Sequence, residues 1–178
     1  MNISNVKNNQ WKEIREINFE AFPKAERKPF FTIKRSVKKG RAQLLTAANG
    51  DILQGFVMVI PYGTMAMVDY LAVSGKDRSR GTGSKIIQEV CKRFSDKKIV
   101  LLIERTDENA ENKEQRIARR KFYLKNGFTS SDIYITGKSG NMELLNYGSA
   151  VSLQEYMNLQ RYTLGRLMFW LSGIKPAI

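Results

Sequence analysis

The chain opens with apolar residues at the spacing of two helices. In the first, predicted over residues 10–22, apolar side chains recur two to three positions apart, which is roughly helical spacing. These side chains are Trp11, Ile14, Ile17 and Phe19. Pro23 follows and ends the helix, because proline disfavours a continuing helical turn. The second helix is predicted over residues 29–39, with Gly40 placed to cap its end.

Shorter apolar runs bounded by turn residues predict three strands. Residues 43–47 and 52–60 indicate two antiparallel strands joined by a tight Asn-Gly turn. Residues 65–73 follow another turn and are apolar enough for a central strand, apart from one acid, Asp69.

The next elements alternate between strand, helix and strand. Residues 83–94 place apolar side chains at helical spacing, and residues 99–103 form an uninterrupted apolar run. A helix between two such strands predicts that the strands are parallel and joined by a right-handed crossover.

The remaining pattern adds a loop, a helix, a hairpin and a last helix. Residues 106–115 indicate a polar loop, 117–126 a basic helix, 133–136 and 142–147 a hairpin turning around 137–140, and about 151–172 a further helix. The whole order predicts an α/β (α+β) fold, with a mixed central sheet of about six to seven strands flanked by helices and an extra C-terminal helix.

Length and composition indicate one domain over residues 1–178, because a single core commonly serves about 100 to 200 residues. Hydrophobic residues make up 42% of the chain, too many for a disordered protein. No apolar run approaches the roughly 20 residues of a membrane-spanning helix, and the start of the sequence lacks the pattern of a signal peptide. A cytoplasmic protein is therefore expected.

The residue inventory disfavours several kinds of chemistry. The chain has no histidine and one cysteine, Cys91, so zinc sites and Ser-His-Asp hydrolysis are not expected, and no metal is predicted. Thirty Lys and Arg against seventeen Asp and Glu leave a net charge of +13. Such a charge attracts polyanions, and nucleic acid, CoA and an acidic protein surface all fit it.

A basic loop between the third predicted strand and the helix after it carries the most specific chemical pattern. Gly81 and Gly83 allow the backbone to approach a ligand closely, and the amides at a helix start bind anions. Arg78 and Arg80 add positive charge. The loop therefore predicts a pyrophosphate site, although its glycine spacing is neither that of the Rossmann fingerprint nor that of a Walker loop.

Two segments resemble motifs of the GNAT superfamily of N-acetyltransferases. Arg78-Ser79-Arg80-Gly81-Thr82-Gly83 is similar to the family motif Q/R-x-x-G-x-G/A, which follows a strand ending in Leu-x-Val. Phe122-Tyr123-Leu124-Lys125-Asn126-Gly127-Phe128 is similar to F/L-Y-x-x-x-G-F. With the element order, the resemblance covers roughly residues 10–147. It implies the GNAT fold and an enzyme that moves an acetyl group from acetyl-CoA to a primary amine.

The resemblance also implies roles for individual residues. Backbone groups of Leu71, Ala72 and Val73 would align the pantetheine and the thioester carbonyl. The pyrophosphate would be held by Arg78, Ser79, Arg80, Gly81, Thr82, Gly83 and Ser84. Tyr123 would lie near the thioester sulfur and protonate, or hydrogen-bond, the departing thiolate. The amine would attack bound acetyl-CoA directly in a ternary complex, so no nucleophilic side chain is required.

Two carboxylates are candidates for the base that accepts the amine proton. Asp69 shares a strand face with Leu71 and Val73, and Glu104 ends the next parallel strand. Either carboxylate could instead pair with a nearby lysine or arginine.

The chain departs from the family pattern at Arg116, where relatives often carry an asparagine that contacts the cofactor. The basic run 116–121 fits either a site for the 3′-phosphate of CoA or a solvated helix face.

Other function classes stay open. The charge, with Phe122 and Tyr123 beside an arginine-rich helix, fits a nucleic-acid-binding module, although no specific nucleic-acid signature appears. A non-catalytic CoA sensor or scaffold would keep the same fold. No motif specifies the acceptor, so polyamines, aminoglycosides, amino acids and protein amines all remain candidates.

The predicted C-terminal helix has a broad apolar face. Ser152 and Glu155 form a capping box at its start. Its apolar residues are Leu153, Tyr156, Met157, Leu164, Leu167, Met168, Trp170 and Leu171. Such a face must be covered by the domain's own sheet, by a second copy in a homodimer or by a membrane surface.

Overall fold

Strands and helices alternate along the chain in the computed structural model, which describes residues 1–24, 27–138 and 140–177. The strands are β1 (Asn2–Asn5), β2 (Gln43–Asn49), β3 (Ile52–Tyr62), β4 (Met65–Val73), β5 (Lys98–Glu104), β6 (Thr129–Gly137), β7 (Gly140–Tyr147) and β8 (Lys175–Pro176). The α-helices are α1 (Trp11–Ala21), α2 (Phe30–Lys38), α3 (Thr82–Arg93), α4 (Lys113–Lys125), α5 (Leu153–Leu164) and α6 (Arg166–Ser172). No helix within the described ranges is long and apolar enough to cross a bilayer.

The chain divides into two compact units. The first comprises Met1–Pro61 and Val68–Arg93, and the second comprises Tyr62–Met67 and Phe94–Ile178. Strand β4 contributes residues to both units. The expectation of one domain over residues 1–178 stays a prediction.

The first unit contains an antiparallel meander and three helices. Strand β1 pairs antiparallel with β2, from Asn2↔Ala48 to Asn5↔Leu45, and β2 pairs antiparallel with β3. The buried side chains of this unit include Ile14, Ile33, Leu45, Phe56, Ile87 and Val90. Helices α1, α2 and α3 thus each bury one apolar face, as their spacing predicts.

The second unit contains the one parallel strand pair among the described residues. Strand β4 pairs parallel with β5 over Met65↔Lys98 to Met67↔Val100, which confirms the predicted parallel arrangement. Strand β5 then pairs antiparallel with β7, and β6 pairs antiparallel with both β7 and β8. Its buried side chains include Ile99, Leu101, Phe128, Leu144, Tyr156 and Leu159.

The sheet has more strands than the sequence predicts. Its described strands follow the order β1-β2-β3-β4-β5-β7-β6-β8, which makes eight instead of six to seven. The two extra strands, Asn2–Asn5 and Lys175–Pro176, lie at the sheet edges. Edge strands of two to four residues show no alternating apolar pattern, so hydropathy does not reveal them.

Two internal elements begin earlier than predicted. Helix α4 starts at Lys113 instead of residue 117, because its first turn is polar and gives no apolar spacing. Strand β6 starts at Thr129 instead of residue 133, and its register shifts between Ser130 and Tyr134, where Asp132 has a φ of 53°. Such a bulge interrupts the alternation that identifies strands. Ser139, in the predicted hairpin turn, lies outside the described residues.

The prediction of one continuous C-terminal helix is wrong. Gly165 has a φ of 74°, which glycine adopts at little cost, and this residue separates α5 from α6. Helix α5 buries Tyr156, Leu159 and Gln160, whereas α6 buries none of its residues.

The start of α5 is held by the predicted capping box. Ser152 Oγ accepts a hydrogen bond from the Glu155 amide at 3.2 Å, and Glu155 Oε2 accepts one from the Ser152 amide at 2.8 Å. Lys98 Nζ donates to Glu155 Oε1 at 2.7 Å. The bond from Lys98, followed by those from Ser152, lowers the pKa of Glu155 to about 2.

Glu155→Gln should therefore destabilise the protein in a pH-dependent way. The folded-state pKa lies below the unfolded value of about 4.3, so the carboxylate stabilises the fold above that pH and loses its effect as the pH falls towards 2. The loss at neutral pH should be less than about 1 kcal/mol, because the ion pair is partly exposed. Thermal unfolding from neutral pH down to acid measures this difference.

Glu111→Gln is the matched control, since Glu111 is exposed and makes no ion pair with the described residues. A constant stability difference between Glu155→Gln and wild type across the acid range would contradict the capping role of the charge.

Candidate functional site

The end of β4 is held against β3 in the first unit. The Ser74 amide donates to the carbonyl of Gln54 at 2.8 Å, and Gln54 Nε2 donates to Asp77 Oδ1 at 2.7 Å. A Cβ on Gly55 would lie 2.6 Å from the carbonyl oxygen of Ala72. The absence of a side chain at Gly55 thus allows the two strands to meet where the loop begins.

Helix α1 anchors the turn after β4. The Gly75 amide donates to Glu20 Oε1 at 2.9 Å, and a Cβ on Gly75 would clash with the same oxygen. The guanidinium of Arg78 approaches Glu20 to 3.9 Å, and its Nε donates to the Val73 carbonyl at 3.3 Å. Glu20, which the sequence analysis did not identify, therefore supports the base of the loop.

The predicted pyrophosphate loop has the backbone shape of an anion site. Ser79 and Gly81 have φ angles of 63° and 81°, and α3 begins at Thr82. A Cβ on Gly81 would meet no atom within 4 Å. Left-handed residues before a helix start form an anion-binding nest of amides, and a helix's first amides have no acceptor within the helix. Residues 78–84 thus form a turn and the first turn of α3, with open space around the Cβ position of Gly81.

Burial alternates over the last five residues of β4, whereas the first four are all buried. Asp69, Leu71 and Val73 are half-buried, whereas Tyr70 and Ala72 between them are buried. Because successive side chains of a strand point to opposite faces, Asp69 shares one face with Leu71 and Val73.

Asp69 is paired with a lysine from the segment before α2. Lys28 Nζ donates to both carboxylate oxygens of Asp69, at 2.8 and 2.7 Å, and the Lys28 amide donates to the hydroxyl of Tyr70 at 2.9 Å. Burial lowers the pKa of Lys28, but the charge of Asp69 and the hydrogen bonds to it raise the pKa more, and the net change is an increase. Lys28 is therefore protonated at neutral pH, with its ammonium group on the candidate base.

In the second unit, Tyr123 is buried in an aromatic cluster near the end of α4. Its ring contacts Phe122 and Phe128 edge to face, with centroids 5.0 and 5.6 Å apart, and only 8% of the residue is exposed. Burial raises the pKa of Tyr123 to about 12, against a smaller lowering by Arg119. The hydroxyl makes no hydrogen bond with the described residues and keeps its proton at physiological pH.

Glu104 is tied to the same helix by two arginines. Arg116 and Arg119 each approach its carboxylate to 3.1 Å, and Asn112 Nδ2 donates to it at 3.3 Å. Arg116 also donates to Asn112 Oδ1 at 2.7 Å and to the Arg105 carbonyl at 3.0 Å. This network fixes α4 to the end of β5, and it gives Arg116 a structural use where relatives often carry asparagine.

A third arginine of α4 is also neutralised within the unit. Arg120 donates to both oxygens of Glu143, at 2.9 and 3.1 Å, and Glu143 is 3% exposed. The hydrogen bond to Glu143 raises the pKa of Arg120. The basic run at 116–121 is therefore largely occupied by intramolecular ion pairs, which weakens the expectation that this run binds an external anion.

The family model of the acetyltransferase (GNAT) domain matches residues 40–130, more than half of the chain. The chain therefore belongs to the GNAT acetyltransferases. The matched span contains Asp69, the loop 78–84, Glu104 and Tyr123. No curated protein sequence matches the chain significantly.

Solved structures of GNAT proteins share the fold at low sequence identity. A GNAT-family protein of Bacteroides thetaiotaomicron is 20% identical, with a TM-score of 0.75 over 98% of this chain and 100% of its own. The ribosomal-protein-S18-alanine N-acetyltransferase of Escherichia coli is 16% identical, with a TM-score of 0.64 over 85% and 95%. A GNAT acetyltransferase of Elizabethkingia anophelis with bound acetyl-CoA is 17% identical, with a TM-score of 0.63 over 83% and 97%.

Proposed function

We propose that this protein transfers an acetyl group from acetyl-CoA to a primary amine, by direct attack of the amine in a ternary complex. The observation that carries the proposal is the loop with positive φ at Ser79 and Gly81, open above Gly81 and leading into α3 in a member of the GNAT family. Bound acetyl-CoA in the Elizabethkingia anophelis structure supports the choice of cofactor.

The cofactor contacts follow from the backbone of β4 and the loop after it. Because backbone groups alternate between the two edges of a strand and the Ala72 carbonyl faces Gly55, Leu71 and Val73 present their groups to the other edge. We assign hydrogen bonds to the pantetheine to the backbone of Leu71 and to the amide of Val73, whose carbonyl accepts from Arg78. The diphosphate takes the amides of the loop 78–84, with Arg80 adding charge. No metal ion is assigned a role.

Of the two candidate bases, Asp69 is better suited to accept the amine proton. The Glu104 carboxylate is held by two guanidinium groups and an amide. If it accepted the amine proton, several charge-assisted hydrogen bonds would weaken at once, so it is the poorer base. Asp69 is held by one ammonium group, which an acceptor ammonium can replace on the same oxygens. Glu104 is assigned the positioning of α4 and of Tyr123 on that helix.

Tyr123 is assigned a hydrogen bond to the departing sulfur. A phenol with a pKa of about 12 is a weaker acid than a thiol of about 8.5, so complete proton transfer to the thiolate is unfavourable. A hydrogen bond from the hydroxyl still stabilises the charge that develops on sulfur.

The acceptor is defined only as a primary amine. Relatives with the same fold include an enzyme named for a ribosomal-protein alanine and an aminoglycoside 6'-N-acetyltransferase from Enterococcus faecium. The positive charge of this chain disfavours a polycationic acceptor, because like charges repel.

Gly81→Glu should abolish CoA binding while the protein stays folded. A carboxylate placed about 4 Å from a phosphate costs about 4 kcal/mol at an intermediate dielectric, so the Kd should rise by about a thousandfold. Calorimetry with CoA and acetyl-CoA measures the affinity, and thioester consumption with a panel of primary amines measures turnover.

Gly50→Glu is the matched control, because Gly50 also has a positive φ, 60°, and open space around its Cβ. Equal CoA affinity of Gly81→Glu and wild type would remove the loop as the cofactor site. CoA binding that depends on Gly81 without turnover of any amine would identify a non-catalytic CoA sensor instead.

Asp69→Asn should lower kcat by about a hundredfold, within the range of general bases, and leave the Kd of acetyl-CoA unchanged. Since this variant also frees Lys28, Lys28→Met and the double variant are measured beside it. Lys28→Met should lower kcat by less than about tenfold, and the double variant should have the kcat of Asp69→Asn. An equal decrease in kcat for both single variants and the double variant would mean that Asp69 serves only to hold Lys28.

Tyr123→Phe should lower kcat by about tenfold or more, because the ring stays and only the hydroxyl is lost. Tyr147→Phe removes a hydroxyl from the neighbouring ring, whose centroid lies 5.6 Å from that of Phe128, and should leave kcat unchanged. The comparison requires conditions in which chemistry limits the rate. Wild-type turnover by Tyr123→Phe would assign the stabilisation of the thiolate to water.

A further inference from the structure

The two C-terminal helices of the second unit differ sharply in burial. Helix α5 is covered by its own unit: Tyr156 and Leu159 are fully buried, and Gln160 Nε2 donates to the Tyr156 hydroxyl at 2.5 Å. Helix α6 buries no residue. The apolar face of α5 is therefore covered by its own unit, whereas that of α6 is not.

A group of large apolar side chains is left exposed on α6, and we call it the α6 surface. It consists of Leu167 (68% exposed), Met168 (55%), Trp170 (76%) and Leu171 (41%). Single exposed apolar residues are ordinary, but four on one short helix mark an interaction surface.

The α6 helix is held in place by contacts at its middle and at its end. The Arg161 guanidinium of α5 lies 5.2 Å from the centroid of the Phe169 ring. At the end of the helix, the Lys138 amide donates to the Ser172 carbonyl at 3.1 Å. A Cβ on Gly137 would lie 3.2 Å from the same oxygen. The apolar side chains are thus presented by an anchored helix.

The charged side chains of the C-terminal segment are all of one sign. From Tyr156 to the last residue, the sequence contains Arg161, Arg166 and Lys175 and no Asp or Glu. Arg166 and Lys175 make no ion pair with any residue that the structure describes. The nearest acid in sequence, Glu155, is already paired with Lys98.

Two partners remain for the α6 surface, a second copy of the chain and a membrane, and this charge pattern favours the membrane. A second copy would bring the same three cations, and a further net charge of +13, against the first, without an acid in this segment to neutralise them. An anionic lipid surface supplies the opposite charge and an apolar layer beneath it. Trp, Leu and Phe beside Arg and Lys form the composition that binds at such an interface.

We infer that the α6 surface docks on anionic phospholipid membranes, with Leu167, Met168 and Trp170 inserted at the headgroup boundary and the basic side chains at lipid phosphates. The contact is peripheral. It does not depend on the proposed acetyltransferase activity, because every residue involved lies in the α5–α6 segment or at Lys175.

Vesicle binding with tryptophan fluorescence tests this inference directly. The chain has two tryptophans, and Trp11 is 8% exposed whereas Trp170 is 76% exposed, so a change of environment reports mainly on Trp170. Vesicles of equal parts phosphatidylglycerol and phosphatidylcholine should shift the emission to the blue, and brominated lipid should quench it. Pure phosphatidylcholine should bind more weakly by about tenfold or more, since several cations lose their attraction.

Leu167→Glu and Ile52→Glu form a matched pair, because the two residues are 68% and 70% exposed and each variant adds one negative charge. Leu167→Glu should lower vesicle binding by about tenfold or more, and Ile52→Glu should change it by less than about twofold. Both substitutions are at exposed positions, and thermal unfolding verifies that both variants fold.

Three outcomes would overturn the inference. Equal binding of both variants would mean attraction by diffuse charge alone, without docking of α6. An unchanged Trp170 emission with anionic vesicles would exclude insertion. A dimer in sedimentation that Leu167→Glu converts to a monomer, together with no vesicle binding, would identify a second copy as the occupant.

Discussion

The close approach of two strands at Gly55 is the constraint on which the candidate cofactor site depends. A side chain there would collide with the carbonyl of Ala72 at 2.6 Å and press on Ile86 Cδ1 at 3.1 Å. A backbone carbonyl cannot move aside as a flexible side chain can, so β3, the end of β4 and α3 keep this spacing only without a Cβ. Because β4 leads into the loop and α3 leads out of it, the strand contact sets both ends of the loop. Glu20 then holds its first turn through the Gly75 amide.

Hydrophobic spacing predicts the interior strands and helices. It does not predict elements that depend on backbone pairing or on a single backbone angle. Residues 65–73 and 99–103 are nearly continuous apolar runs, and they form β4 and β5 as predicted. Edge strands such as Lys175–Pro176 pair through backbone groups alone and carry no such signal. The break between α5 and α6 depends on one backbone angle at Gly165, within a segment whose apolar residues continue on both sides. A glycine in a helical pattern was the available sign of that break.

The loop and the ion pairs differ in how much the sequence reveals about them. Residues 78–84 are contiguous, so their glycines, charges and position after a strand can be recognised without knowing the fold. The partners of the candidate bases are distant in sequence: Lys28 lies 41 residues from Asp69, and Arg119 lies 15 residues from Glu104. An ion pair is a predictable alternative role for both acids, but the sequence does not indicate which cation pairs with each. Only the packing of loops and helices onto the strands brings these groups together.

Positive charge is used in two different ways along this chain. Lys28, Arg116 and Arg119 lie 2.7, 3.1 and 3.1 Å from carboxylates, and each such pair removes much of the cation's attraction for other anions. Arg80 and Arg166 pair with no acid among the described residues, so their charge acts over roughly 8 Å, the screening length at physiological salt.

The backbone around these free charges differs between the loop, where we propose a diphosphate, and α6, where we propose an anionic membrane. At the loop, left-handed residues and a helix start aim amides at one point, which suits a single diphosphate of defined geometry. At α6 the cations stand on side chains around an apolar helix, and no amide nest selects one phosphate. That arrangement suits a surface carrying many phosphates above an apolar layer, because affinity there comes from summed weak contacts and from the burial of Trp170 and Leu167.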